Sequence, residues 1–518
     1  MGGTSASPLR IVHRQMDDMK ATESPPPAAE KKPTVTRRTV LAAAAAAGAG
    51  VAASRLLALA NEPTFERVPI TGTQGNKTGL DWVTPLGNEA ARISHLLRRF
   101  TFGASAEELD KAQSDGYMRT VDRFLETKIA EPPALAGADD ASQDNPVNAA
   151  ALQQWWVDWM TTSPTPFGER MTLFWHGHFT SDFRKVGNQY PFLYWQNLTW
   201  RKNALADLRT MLYQVTIDPA MLRYLDLGNS TAQNPNENYS RELMELFTMG
   251  PQAFAEDDVR AGAKALSGWR EPRTQAMIDA DVKRQQMRTG QPPKTIPKAD
   301  TVKTGIFEAQ RGYRGAAFMF LGESKVWSTD AILDKILQQE ATAPFITHKL
   351  LTAFVTPTPS DAYVARLSAA YRKSRYDTRA LLRDILMSPE FTAADTYRGL
   401  IKSPTELMIH TAKALGDKTL AKLVAGQGQT MGQTLFDPPS VGGWPENESW
   451  VSSNTMLARA NFVTSAVQAV KKLPPFANAH NTQIDGVMSA QTLKLLNEAA
   501  DDKRRWSILL ASPEFQLK

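Results

Sequence analysis

Along most of this chain apolar residues return at intervals of three and four, with polar residues filling the turns between them. In residues 87–127, Ile93, Leu96, Leu97 and Phe100 fall on one helical face. Asn88 is placed to cap that helix and Gly103 to close it, while Ser105 with Glu108 predicts a capping box for the next. The same period recurs in residues 203–227, 258–269, 329–355 and 361–391, and two-residue alternation is scarce. The pattern predicts an all-α fold: a large multi-helix, bundle-like domain with long structured loops and few or no strands.

Two stretches interrupt the period. Residues 271–304 are polar, contain proline and lack a stripe, which predicts a loop or insertion; residues 429–455 are rich in Gly, Pro and Trp and predict a structured loop. A short echo, "DILMSPEF" at 384–391 and "ILLASPEF" at 508–515, closes two amphipathic segments in the same way. In both, Ser is suited to cap a turn whose first position is Pro.

The first sixty residues have a different character. Residues 1–36 are polar and rich in Pro and Ala, with little to bury, and are expected to be a disordered leader. In residues 37–60, Arg37 and Arg38 precede a weakly apolar run from Val40 to Ala53, and Ala58-Leu59-Ala60 offers a small-x-small cleavage site. This resembles a twin-arginine export signal, with the twin-arginine translocase as transient partner and a periplasmic or extracellular destination. Two other readings are an Ala-rich helix of a cytosolic protein and a permanent anchor. The apolar run is short for the roughly 30 Å of hydrocarbon that an anchor must cross, so no permanent membrane span is expected. Residues 61–87 then form an extended N-terminal segment, and residues 88–518 the helical domain.

Charge narrows the partners. Residues 1–60 hold eight of the 59 basic and four of the 54 acidic side chains, leaving 51 against 50 in the remainder. That balance argues against a nucleic-acid partner, which calls for a basic face. With no cysteine in 518 residues, the chain has no disulfide, no thiolate metal ligand and no lipidated Cys.

Candidate chemistry centres on "FWHGHFTSDF", residues 174–183, which places His176 and His178 one residue apart although the chain has seven histidines in all. Six of the 12 tryptophans, Trp155, Trp156, Trp159, Trp175, Trp195 and Trp200, lie nearby, which is most simply core. A helix ending at Gly177 would let both imidazoles converge; a continuous helix would hold them about 200° apart. In "NPNENYSRELMELFTMG", residues 234–250, Asn234, Pro235, Glu237 and Gly250 frame a helix. Its face carries Glu237, Asn238, Arg241, Glu242 and Glu245 within an arc of about 140°. The face is either a solvated ladder of i,i+4 pairs or a buried site for a divalent metal or acid/base work. In the second reading His176, His178, Glu242 and Glu245 are ligands or proton carriers and Arg241 holds an anion. Trp444 and Trp450 either meet a ligand or plug the bundle end. His95, His348 and His410 read as helix-surface or core-edge residues. Familiar nucleophile-elbow, phosphate-loop, dinucleotide and zinc-helix motifs do not occur.

"RISHLLRRFTFGAS", "MTLFWHGHFTS", "DPAMLRYLD", "NPNENYSRELMELFTMG", "LSGW" and "MGQTLFDPPSVGGWPENESWVSSNTMLARANF" together resemble the ordered blocks of a bacterial family, the domain of unknown function 1800 family, across residues 90–462. The resemblance implies an exported protein, without an established activity, often accompanied by a co-exported sulfatase-like partner. It places His176, His178, Asn236, Glu237, Asn238, Arg241, Glu242, Glu245, Gly443, Trp444 and Trp450 in the family's blocks. It also implies a His-Asp pair and a Lys ahead of "FLG" at 320–322, where this chain has Tyr313, Arg314 and Phe318. Two functions remain open: an envelope enzyme using a divalent metal or acid/base catalysis, and a non-catalytic envelope protein that binds or matures a partner.

Replacing both arginines, Arg37→Lys with Arg38→Lys, should leave the full-length chain in the cytoplasm when cells are fractionated; unchanged release to the periplasm or medium would count against this address.

Overall fold

The computed structural model describes residues 84–136, 138, 147–187 and 191–518. The leader, the export signal and nearly all of the extended segment therefore lie outside the described residues. Among those described, 23 α-helices accompany only two small two-stranded antiparallel sheets, so the protein is mainly α-helical. No described helix is long and apolar enough to cross a membrane.

Local chemistry sets the helix ends. Asn88 accepts from the Ala90 N–H at 2.8 Å, and Ser105 and Glu108 form a reciprocal capping box at 3.2 and 2.8 Å. Gly103 is required for two reasons: its φ is +77°, and a Cβ there would fall 2.1 Å from His410 Cδ2. His410 and His95 are buried core residues, whereas His348 is exposed, so the surface or core-edge expectation holds only for His348.

The two Ser-Pro-Glu-Phe segments fold alike. Ser388 and Ser512 each accept from the N–H of the Phe three residues on, both at 3.3 Å. Each Phe is buried beside a histidine, Phe391 against His95 at 4.8 Å and Phe515 against His410 at 4.5 Å between ring centres. Repeated sequence here has become repeated packing.

One extended apolar cluster holds the helices together, with Phe100, Trp156, Trp175 and Trp200 among its most buried members. The Pro166–His178 helix packs against Ala149–Thr162 and Phe192–Lys202. Glu169 on it is fully buried and receives Arg201 Nε at 2.6 Å and the indole N–H groups of Trp156 and Trp159, each at 3.0 Å. A carboxylate in an aromatic core is tolerated because both oxygens are occupied.

Residues 271–304 differ from expectation. They contain a 15-residue helix, Gln275–Thr289, capped by Thr274 and closed by Gly290 in the left-handed region. Only Ile278 is buried along it, so the helix carries no apolar stripe to reveal it.

Candidate functional site

The helix containing His176 and His178 does not end at Gly177. It runs from Pro166 to His178, and the two imidazoles point to different neighbours. His176 Nε2 accepts the Phe436 N–H at 3.1 Å, and its ring lies against Trp156, Phe436 and Trp444. His178 Nε2 donates to the Phe247 carbonyl at 3.0 Å, and its ring lies against Phe174, Phe179, Phe247 and Phe345. Each imidazole therefore ties a different segment to the helix. His176 holds the loop after residue 431, and His178 the chain beyond the 238–245 helix.

These bonds fix opposite tautomers. His176 must keep Nε2 unprotonated to accept, whereas His178 carries its proton on Nε2 and leaves Nδ1 as an acceptor. His176 buttresses an unusual turn, because Phe436 has φ +62°, a conformation that bulky residues seldom adopt. Gly443 comes equally close: its φ is +87° and a Cβ there would meet the Gly177 carbonyl at 2.3 Å. Thr180 Oγ1 donates to the Val441 carbonyl at 2.6 Å. Together these contacts lay Trp444 over His176.

The second half of the site is also shorter than its sequence frame. Asn234 caps no helix; it forms a turn with Thr231 through N–H···O bonds of 3.1 and 3.2 Å, and Asn236 receives the Asn238 N–H at 2.9 Å. The helix is Asn238–Glu245. Its polar face is partly the solvated ladder: Arg241 bonds Glu256 at 2.6 Å and Glu237 at 3.4 Å, and exposed Asn238 donates to Asp226 at 3.1 Å. Glu242 is half-buried, and burial and then the Glu245 charge raise its pKa against the pull of Arg241.

A cavity of about 460 Å³ opens beside this helix end. His178, Glu245, Trp444 and Trp450 line it, together with Gly177. His176, Glu237, Asn238, Arg241 and Glu242 do not. The four residues expected to hold a divalent metal are thus divided, and among the described residues no three His, Asp or Glu side chains gather as a metal-binding group. The reason is geometric: helix continuity turns the two imidazoles to different sides, and Glu242, although close enough to feel the Glu245 charge, does not line the cavity.

The cavity base was missed by sequence reasoning. There buried Glu406 receives Arg170 Nε and Nη2 on Oε1, both at 2.9 Å, the Lys518 ammonium on Oε1, and the Ser403 N–H on Oε2 at 2.8 Å. Burial alone would raise the Glu406 carboxyl, but Arg170 and Lys518 outweigh it and hold it at about 2. Burial lowers Lys518 to about 7 despite Glu406. Glu406 was hidden as an ordinary capping-box residue after Ser403. The available signal was Glu169-Arg170, two charges inside the aromatic run of the 166–178 helix.

Tyr313, Arg314 and Phe318 stand elsewhere. Lys264 lies over the Tyr313 and Phe318 rings at 4.0 and 4.6 Å, and Arg314 donates to the Ala309 carbonyl at 2.7 Å. None of the three lines the cavity.

Fold and site define a helical protein with an open, mixed-charge cavity set over a buried ion-pair cluster. Residues 95–517 match the family described as "Protein of unknown function (DUF1800)", and the chain belongs to that family. No curated protein and no solved structure matches the chain.

Two measurements follow. Burial pushes both imidazoles from 6.5 to about 3, with Lys349 adding to the effect at His178 and the Phe247 carbonyl opposing it. The unfolded chain binds these protons and the folded chain refuses them, so their stabilisation is complete above pH 6.5 and is lost on acidification toward 3. Buried Asp218 acts in the other direction, because burial lifts its carboxyl from 3.8 to about 7 and stability falls as pH rises through that window. His178→Gln keeps an N–H for the Phe247 carbonyl. It should flatten the acid limb by about 1.4 kcal/mol per pH unit in urea unfolding at pH 4, 5 and 6, and an unchanged slope would refute the assignment. Elemental analysis of the purified mature protein should show no near-stoichiometric metal that depends on these rings. Metal that vanishes in a His176→Ala/His178→Ala double variant would restore the metal reading.

Proposed function

We propose that this is an exported envelope protein that binds a small polar ligand in the cavity beside the 166–178 helix. His178, Glu245, Lys349, Trp444 and Trp450 are its contact residues. The observation that carries this reading is a cavity kept between elements that His176, His178 and Glu406 already tie together. His176 and Glu406 have their partners, and the helix ends are tied down, yet about 460 Å³ stays unfilled. A purely structural network closes on itself, whereas a binding site keeps shaped space with a few convergent polar groups. Export rests on Arg37, Arg38 and the run that follows them. A co-exported sulfatase-like partner has the family resemblance alone behind it.

Acid/base catalysis is the second reading. It is favoured by His178 and Glu245 lining one cavity, with the His178 tautomer set by the Phe247 carbonyl. With its basicity depressed, His178 is a hydrogen-bond acceptor at neutral pH, so in this reading Glu245 is the base.

Gly177 provides the test. A Cβ there meets nothing within 4 Å, although the residue lines the cavity and sits in a helix. Gly177→Leu should therefore obstruct the cavity beside the helix without unfolding the chain, since leucine is the better helix former. N-phenyl-1-naphthylamine, a neutral dye that brightens in apolar cavities, should bind the parent saturably and fail to bind Gly177→Leu. Equal binding to both would place the dye elsewhere and overturn the reading.

A further inference from the structure

The base of the cavity gathers several buried basic side chains around the Glu406 carboxylate. Arg170 and Lys518 share Glu406, and Arg99, Lys402 and Arg459 also feel that carboxylate. All five basic residues are buried. Nearby Arg98 is matched by Asp485 at 2.5 Å and does not enter the balance.

The remaining partners of these cations are neutral. Arg99 donates to the Val355 carbonyl at 2.9 Å and to the Thr396 carbonyl; Lys402 donates to the Phe515 carbonyl. Arg459 donates to Gln516 Oε1 at 3.1 Å and to the Lys402 carbonyl at 2.8 Å. Carbonyl dipoles solvate a cation without cancelling its charge. Burial first, and then the Arg98 charge, push Lys402 far below the usual lysine range, so its amine adds little positive charge to the cluster.

Arg170 and Lys518 line the cavity, and so does Lys349. Arg170 spends Nε and Nη2 on Glu406, and Nη1 has no acceptor among the described residues. Lys349 is half-buried, with the Phe345 ring at 6.0 Å and no carboxylate partner among the described residues. The other acids of the cavity are half-buried Glu245 and exposed Glu446, and neither forms an ion pair with Arg170, Lys349 or Lys518 among the described residues.

We propose that the floor of the cavity is an oxyanion subsite in which a carboxylate, phosphate or sulfate group of the ligand sits among Arg170, Lys349 and Lys518. The proposal rests on the cavity-binding reading and adds the chemistry of the ligand. An oxyanion accepts several N–H groups at once, here Arg170 Nη1 and the Lys349 ammonium, which have no carboxylate partner among the described residues. The rest of the ligand then extends toward Trp444 and Trp450, with a donor for His178 Nδ1.

The experiment uses the full mature chain as parent, Lys349→Gln and Gly177→Leu. Thermal unfolding is followed with potassium phosphate, sulfate and acetate, each against potassium chloride at equal ionic strength. At least one oxyanion should raise the parent's Tm saturably, and the three salts separate phosphate, sulfate and carboxylate recognition. Lys349→Gln should weaken that response about tenfold, and Gly177→Leu should abolish it. Arg170 is left unchanged because its loss would strand buried Glu406. No saturable response in the parent, or the same response in all three chains, overturns the subsite. If the neutral dye still distinguishes the parent from Gly177→Leu, only the oxyanion inference has failed. If the dye does not distinguish them, the cavity reading fails with it.

Discussion

Glu406 is the constraint on which the rest of the structure turns. A carboxylate this deeply buried persists only with both oxygens answered, and its partners come from three remote parts of the chain: Arg170, Ser403 and Lys518. Meeting that requirement pins the 166–178 helix, the start of the Pro404–Ala414 helix and the segment Gln516–Lys518 to one point. The last segment is secured again along its backbone, where Lys518 and Leu400 exchange N–H···O bonds of 2.8 and 3.3 Å. The site's base is therefore rigid for reasons of electrostatics, independent of any ligand.

The two histidines of "FWHGHF" act as clasps. A helix presents residues i and i+2 to nearly opposite sides, and here each side meets a segment with one unpaired main-chain group to satisfy: the Phe436 N–H and the Phe247 carbonyl. The first clasp fixes the loop that carries Trp444, and the second fixes the chain after Glu245. The cavity lies beside the second. The aromatic setting of the histidines, which on composition alone reads as core, is core; its role in the site is to hold the walls in position.

This arrangement favours recognition over metal chemistry by His176, His178, Glu242 and Glu245, since those four do not share one space. Tyr313, Arg314 and Phe318 take no part in it. Tyr313 and Phe318 lie against Lys264, Arg314 bonds the Ala309 carbonyl, and the cavity is built from other residues.

The sequence by itself determined the helical class, the caps at Asn88 and Ser105, the Ser-Pro-Glu-Phe turns and the family, because periodicity, capping and motif order are local properties of the chain. It also singled out His178, Glu245, Trp444 and Trp450, which do line one cavity. Tertiary structure alone decided three things. Whether the helix stops at Gly177 depended on what packs beyond it, and Gly177 has a helical role that its composition conceals. The Gln275–Thr289 helix carries no apolar stripe because it is mostly solvated. The importance of Arg170, Glu406, Lys349 and Lys518 depended on charges from remote parts of the chain meeting at one cavity. No short-range pattern records such a meeting, because the energy of a buried charge is set by whatever the fold brings beside it.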